Sequence, residues 1–113
     1  MKCLEIIGGR RLEGRVVVSG NKNAALPMIA AAMLTRDEVV LHNVPDILDV
    51  RNMLALAAHL GAEVAFADGT AVIRADAIRD GRLPQELCSR LRTSLLFAGP
   101  LAARFGQAEV FPP

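Results

Sequence analysis

The residues best suited to chemistry gather at one corner, Ser19-Gly20-Asn21-Lys22-Asn23. The run Val16-Val17-Val18 leads into it and an apolar run from Asn23 to Leu34 leads out. A helix start turns free N–H groups and a partial positive charge outward. Gly20 lets a ligand come close to the backbone. Lys22 adds a full positive charge and Asn23 adds amide donors. Together these groups suit a phosphate or a carboxylate. A plainer reading of the same residues stands beside it, with Asn23 as an N-cap and Lys22 as a solvated cation. The corner is not a P-loop, because the GxxxxGK[ST] pattern is absent.

Other reactive side chains carry weaker signals. His42 and His59 lack a metal-ligand spacing. His59, just before Gly61, suits a helix C-terminus, and His42 suits a strand edge or end; neither is given a catalytic role. Cys3 and Cys88 are far apart with no CxxC spacing, which argues against a zinc site or disulfide framework and for two reduced, partly buried thiols of a cytosolic protein. Arg51, Arg90 and Arg104 read as solvated charges. The bulk numbers exclude several partners. Across 113 residues the net charge is +1, with no Trp, no Tyr and four Phe. That leaves neither an electrostatic footprint for nucleic acid or acidic membranes nor material for base stacking. With 52% hydrophobic and 22% charged residues, a folded chain with a core is expected. The run Ala24–Leu34 is too short to span a bilayer, and no signal peptide is visible.

These groups need elements to hold them. Cys3–Ile7 and Leu12–Ser19 read as strands separated by the Gly8-Gly9 turn. A helix from Asn23 to about Leu34 is apolar nearly all round and should be buried on most sides, with Pro27 near its first turn. Asp37–Val44 reads as a strand. Asp46 then serves as N-cap of a helix whose stripe is Ile47, Val50, Leu54 and Ala57, widened by Met53 and Leu60 and stopped by Gly61. Ala62–Ala67 and Thr70–Ala75 form a hairpin around Asp68-Gly69. Pro84 opens a third helix, with Leu87, Leu91, Leu95, Ala98, Ala102 and Phe105 on one stripe and a kink at Gly99-Pro100. Gly106 ends it, a strand begins at Glu109-Val110-Phe111, and the sequence closes on Pro112-Pro113. The order predicts an α/β chain with crossover helices.

The run Ser19 to Pro27 resembles the signature of the UDP-N-acetylglucosamine enolpyruvyl transferases. Leu12 to Gly20 precedes it in the pattern Leu-x-Gly-x-Val-x-Val-Ser-Gly. Leu41-His42-Asn43-Val44-Pro45, Asp49-Val50, Leu60-Gly61-Ala62, Leu91-Arg92-Thr93-Ser94 and Gly99 to Gly106 follow in order. The resemblance implies transfer of the enolpyruvyl group of phosphoenolpyruvate to the 3-hydroxyl of UDP-N-acetylglucosamine with release of phosphate. That is a committed step of peptidoglycan synthesis in the bacterial cytoplasm, and it implies no metal or organic cofactor. It assigns Lys22 and Asn23 to phosphoenolpyruvate, with Lys22 offsetting charge as phosphate departs, and Arg92 to the UDP-sugar, where a guanidinium fork suits a diphosphate. It matches Asp49 to an aspartate near the active site, although a carboxylate at a helix start is also favoured by local physics.

The implied fold is part of an inside-out α/β barrel built from βαβαββ repeats. Residues 1–21 would open a domain completed by a later part of the chain, and residues 22–113 would form an incomplete first catalytic domain. The proton donor, a cysteine or an aspartate, is expected on a loop after Pro113, so the 113 residues alone are not expected to turn over or to be very stable. Asn21 stands where a small residue is usual, and Leu48 where a basic one is often found. Three alternatives accompany this reading. The chain could be a paralogue with another acceptor, the sister enolpyruvylshikimate phosphate synthase (which carries Lys-Ser where this chain has Lys22-Asn23), or a non-catalytic remnant or anion-binding module.

Overall fold

The computed structural model describes residues 2–111. Its elements are α1 (Lys22–Ala32), β1 (Glu38–Leu41), α2 (Leu48–Leu60), β2 (Glu63–Ala67), β3 (Thr70–Arg74), α3 (Gln85–Cys88), a 3₁₀ segment (Arg92–Phe97) and α4 (Ala98–Phe105). The strands form one antiparallel sheet in the order β1-β3-β2. Asp68 and Gly69, at φ 50° and 75°, close the β2–β3 hairpin, and two positive φ values give a turn whose twist matches that of the strands.

The register explains the core. Val39 and Leu41 of β1 sit opposite Ile73 and Ala71 of β3, and Val64 and Phe66 of β2 flank the same two residues. All six face the helices; Ala71 and Ile73 are fully buried. Against this face lie Leu26 and Ile29 of α1, then Val50, Met53, Leu56 and Leu60 of α2. Phe97 and Leu101 complete the cluster from the 3₁₀ segment and α4. Gly61 ends α2 at φ 115°, where a Cβ would lie 2.6 Å from the Ala77 carbonyl oxygen. Only glycine combines that backbone angle with that space.

Several expectations are corrected. The strands expected at Cys3–Ile7 and Leu12–Ser19 do not form. Leu4, Ile6, Ile7, Leu12, Val16, Val17 and Val18 are 78–92% exposed. β-propensity alone does not make a strand, which needs a neighbour to accept its hydrogen bonds, and these residues pair with none of the described strands. The helix at the corner begins at Lys22, one residue early, and its Ala24, Pro27, Met28 and Ala31 are exposed rather than covered. Cys88 is buried, but Cys3 is exposed.

The single kinked helix expected from Pro84 to Phe105 is three pieces. The break is at Leu91, extended at φ −141° and ψ 106° and buried, and not at Gly99-Pro100. Pro100 falls in the first turn of α4, where its missing N–H costs least and no kink is needed. The strand expected at Glu109-Val110-Phe111 is one parallel bridge, Arg82 to Glu109, fixed by two backbone bonds of 2.8 and 3.0 Å. Pro112 and Pro113 lie outside the described residues.

Candidate functional site

The corner is built by two helix starts that meet. Asn21 is the N-cap of α1, extended at φ −109° and ψ 130°, and its side-chain oxygen accepts from the Asn23 N–H at 2.6 Å. The carbonyl of Asn21 accepts from the Ala24 and Ala25 N–H groups at 3.3 and 2.9 Å. The cap expected at Asn23 is therefore at Asn21, and three early N–H groups of α1 are engaged within the chain. Charge at this corner comes chiefly from the Lys22 side chain, with the helix dipole behind it.

Lys22 Nζ lies 3.1 Å from Oδ2 of Asp49, in the first turn of α2. The structure thus joins two of the residues singled out in the sequence, from elements separated by a strand and a loop. Their side chains are 48% and 39% exposed, so the pair is solvated and weak enough for a competing anion to displace. Asp49 also sits in the first turn of α2, where a carboxylate is favoured by local physics.

The close approach that Gly20 permits is to the chain itself. A Cβ on Gly20 would overlap the Asn43 carbonyl oxygen and come within 2.8 Å of Pro45 Cδ. Asn43 holds a left-handed φ of 55°, and its side-chain amide donates to the Val18 carbonyl at 3.4 Å. The next residue, Val44, is tied through its N–H to the Gly69 carbonyl at 2.8 Å. A cleft of about 220 Å³ opens beside this contact, walled by Ser19, Gly20, Asn21 and Ala24 on one side and Leu41 to Val44 on the other. Asn43 was not expected to matter on its own. The signal was available, because asparagine tolerates positive φ better than other side chains.

Arg92 is exposed at the first residue of the 3₁₀ segment, which packs against α1. Among the described residues it makes no ion pair with the Lys22–Asp49 couple. Asn23 follows Lys22 on α1 and is exposed. A larger cavity of about 450 Å³ lies at the other end of α2, lined by His59, Arg79, Asp80, Arg82, Leu83 and Phe111 among others. Its Arg82 is paired with Glu109 at 3.1 Å, and Asp80 Oδ1 accepts from the Arg82 backbone N–H at 3.0 Å, so acidic groups stand beside the cations there. The meeting of helix starts is the better candidate for anion chemistry.

Three charged residues differ from their sequence reading. Asp46 does not cap α2; Ile47 holds that position without a side-chain cap bond. The Asp46 carboxylate instead takes a two-pronged contact from Arg51, at 2.5 and 2.8 Å. That hydrogen bonding, helped by the Arg51 charge, holds the Asp46 carboxyl below its ordinary value and raises the Arg51 guanidinium. Arg51 also lies 5.4 Å from the Phe66 ring centre. Arg104, read as solvated, is partly buried and donates to the Met33 carbonyl at 3.1 Å and to the Ala75 carbonyl. Arg90 is exposed, as read. His59 lies in the last turn of α2 and His42 just past β1, also as read.

Residues 6–112 match the EPSP synthase (3-phosphoshikimate 1-carboxyvinyltransferase) family. The whole chain aligns at 46% identity with the UDP-N-acetylglucosamine 1-carboxyvinyltransferase of Dichelobacter nodosus and at 45% with that of Chlorobium phaeovibrioides. In each case it covers 27% of the relative's length. Among solved structures, the enolpyruvyl transferase NikO from Streptomyces tendae superposes with a TM-score of 0.73 at 31% identity, over 86% of this chain and 23% of that one. The α/β arrangement described above is thus part of an enolpyruvyl transferase fold.

Proposed function

The chain belongs to the EPSP synthase family of carboxyvinyltransferases, and from that premise we propose that it supplies the phosphoenolpyruvate-binding corner of a UDP-N-acetylglucosamine 1-carboxyvinyltransferase. The observation that carries this reading is the Lys22 ammonium held 3.1 Å from Asp49 where two helices begin. A cation fixed there, backed by a helix dipole, is suited to receive a phosphate in exchange for the carboxylate.

In this reading phosphoenolpyruvate sits against Lys22 and Asn23. The 3-hydroxyl oxygen of UDP-N-acetylglucosamine bonds to the central carbon of phosphoenolpyruvate while a proton goes to its methylene carbon. The hydroxyl proton is taken up by a base, the methyl group then loses a proton, and phosphate leaves with its bridging oxygen. Lys22 offsets charge on the departing phosphate. Asp49 holds Lys22 in place before substrate arrives, and Arg92 offers a guanidinium fork to the diphosphate. Residues 1–21 open one domain and residues 22–113 form part of a second, with the site in the cleft between them. The product would serve cell-wall synthesis in the bacterial cytoplasm. The family description names a carboxyvinyltransferase with another acceptor, 3-phosphoshikimate, which supports a second reading with a different acceptor.

A chimera tests both. Residues 1–113 replace the corresponding opening quarter of the Dichelobacter nodosus relative, and phosphate release from phosphoenolpyruvate is followed with UDP-N-acetylglucosamine and with other UDP-sugars. Turnover with UDP-N-acetylglucosamine is expected, and Lys22→Met should lower it roughly a hundredfold or more, the scale of losing a charge-stabilising donor. A folded chimera indifferent to Lys22→Met would overturn the assignment. Preference for another UDP-sugar would favour the second reading.

A further inference from the structure

We infer that Asn43 and Gly20 form a joint that sets the distance between the two helix starts, making Asn43 a positioning residue for the Lys22–Asp49 couple. The inference deepens the anion-site reading above and rests on it only for its functional meaning. The geometry stands apart from it.

Lys22 follows Gly20 by two residues, and Asp49 follows Asn43 by six. The two chain segments cross where Gly20 packs on the Asn43 carbonyl and on Pro45. No side chain fits between them, so the separation at this crossing has little freedom. Three restraints hold the Asn43 side of the crossing. Its φ of 55° turns the carbonyl onto Gly20. Its side-chain amide reaches the Val18 carbonyl. The neighbouring Val44 N–H is bound to the Gly69 carbonyl of the hairpin turn. On the other side, Asn21 fixes α1 to begin at Lys22. Each helix start is thus pinned a few residues from the crossing, and the short ion pair follows from both.

The restraints are unequal. At 3.4 Å the amide bond to Val18 is long and contributes little. Backbone conformation and the glycine contact should dominate. Replacing Asn43 by glycine keeps the positive φ accessible, whereas alanine disfavours it.

The test uses the whole chain and a zero-length carbodiimide, which joins a lysine amine to a carboxylate only at ion-pair distance. Lys2 and Lys22 are the chain's two lysines, so peptide mapping resolves the Lys22–Asp49 product cleanly. Yields are referred to the folded fraction, measured by circular dichroism for each variant. The wild-type chain should form the product, and Asn43→Gly should retain most of it. Asn43→Ala and Gly20→Ala should lower it on the order of tenfold, the population change that such backbone strain implies. Gly106→Ala is the control, since Gly106 also has a positive φ, 77°, but has open space around its Cβ position. An equal fall with Gly106→Ala would show general destabilisation and overturn the proposal. So would an undiminished yield with Asn43→Ala, or no product in the wild type. Phosphoenolpyruvate is then added to the wild-type chain. If the cross-link pattern holds but phosphoenolpyruvate leaves the yield unchanged, the joint stands and the anion-site reading fails.

Discussion

At the scale of single residues, the corner turns on one exposed ion pair, Lys22 Nζ to Asp49 Oδ2 at 3.1 Å. Lys22 stood out because a cation two residues after a glycine, at the start of an apolar helix, is placed to meet an anion, beside the plainer reading of a solvated lysine. Its pairing with Asp49 could not be read from spacing, because the 26 intervening residues decide it. Asp46 misled for a physical reason: an aspartate after a proline favours a cap, but Arg51 five residues later offers a charged, two-pronged partner. This makes a titration prediction. Carbon NMR of the Asp46 carboxyl should give a midpoint below an ordinary aspartate, and Arg51→Gln should return it toward the ordinary value. Folded Asp46 gives up its proton more readily than unfolded Asp46. The pair's stabilisation is therefore present above the unfolded pKa and fades as pH falls through the lowered folded one. Because the pair is exposed, the effect on acid unfolding should be small. A midpoint unmoved by Arg51→Gln would disprove the pairing.

At the scale of elements, the Asp68-Gly69 turn signal found the hairpin and helical periodicity found α2, both with nearly correct ends, since Gly61 and Asp68-Gly69 punctuate them by backbone conformation. Periodicity joined α3, the 3₁₀ segment and α4 because their apolar residues keep helical spacing. Burying Leu91 in an extended conformation overrode that pattern, and Leu95 is 43% exposed as a result. The same winding leaves the Thr93 and Ser94 hydroxyls buried without a hydrogen-bond partner among the described residues. Ser94→Ala should therefore stabilise the chain by about 1 kcal/mol, because it removes a desolvated group rather than a bond. A thermal or urea transition that moves the other way would mean that the hydroxyl has a partner. Arg104 is the opposite case. It ties α4 to the end of α1 and to the residue after β3. Arg104→Met should cost about 2 kcal/mol, typical of lost hydrogen bonds to a charged group. A cost near zero would return Arg104 to the solvated role its sequence suggested.

At the scale of the whole molecule, the chain divides into a packed part that begins at Lys22 and an opening segment with apolar side chains facing solvent. The apolar runs of that segment were legible as strand-forming, but pairing is a property of two segments and no single run encodes its neighbour. Amide hydrogen exchange should show residues 2–20 exchanging fast while α1, α2 and β3 are protected; protection across Leu12–Ser19 would mean that a partner strand has been found. The chain spans about a quarter of the carboxyvinyltransferases it resembles, and in the proposed function this quarter binds the phosphate end of phosphoenolpyruvate. The most direct test is an amide and side-chain NMR titration of the chain with phosphoenolpyruvate, in parallel with Lys22→Met. Saturable shifts centred on Lys22, Asn23 and Asp49 are expected, and Lys22→Met should abolish them. Shifts centred on Arg79 and Arg82 at the far end of α2, or shifts at the corner that survive Lys22→Met, would contradict the proposed function.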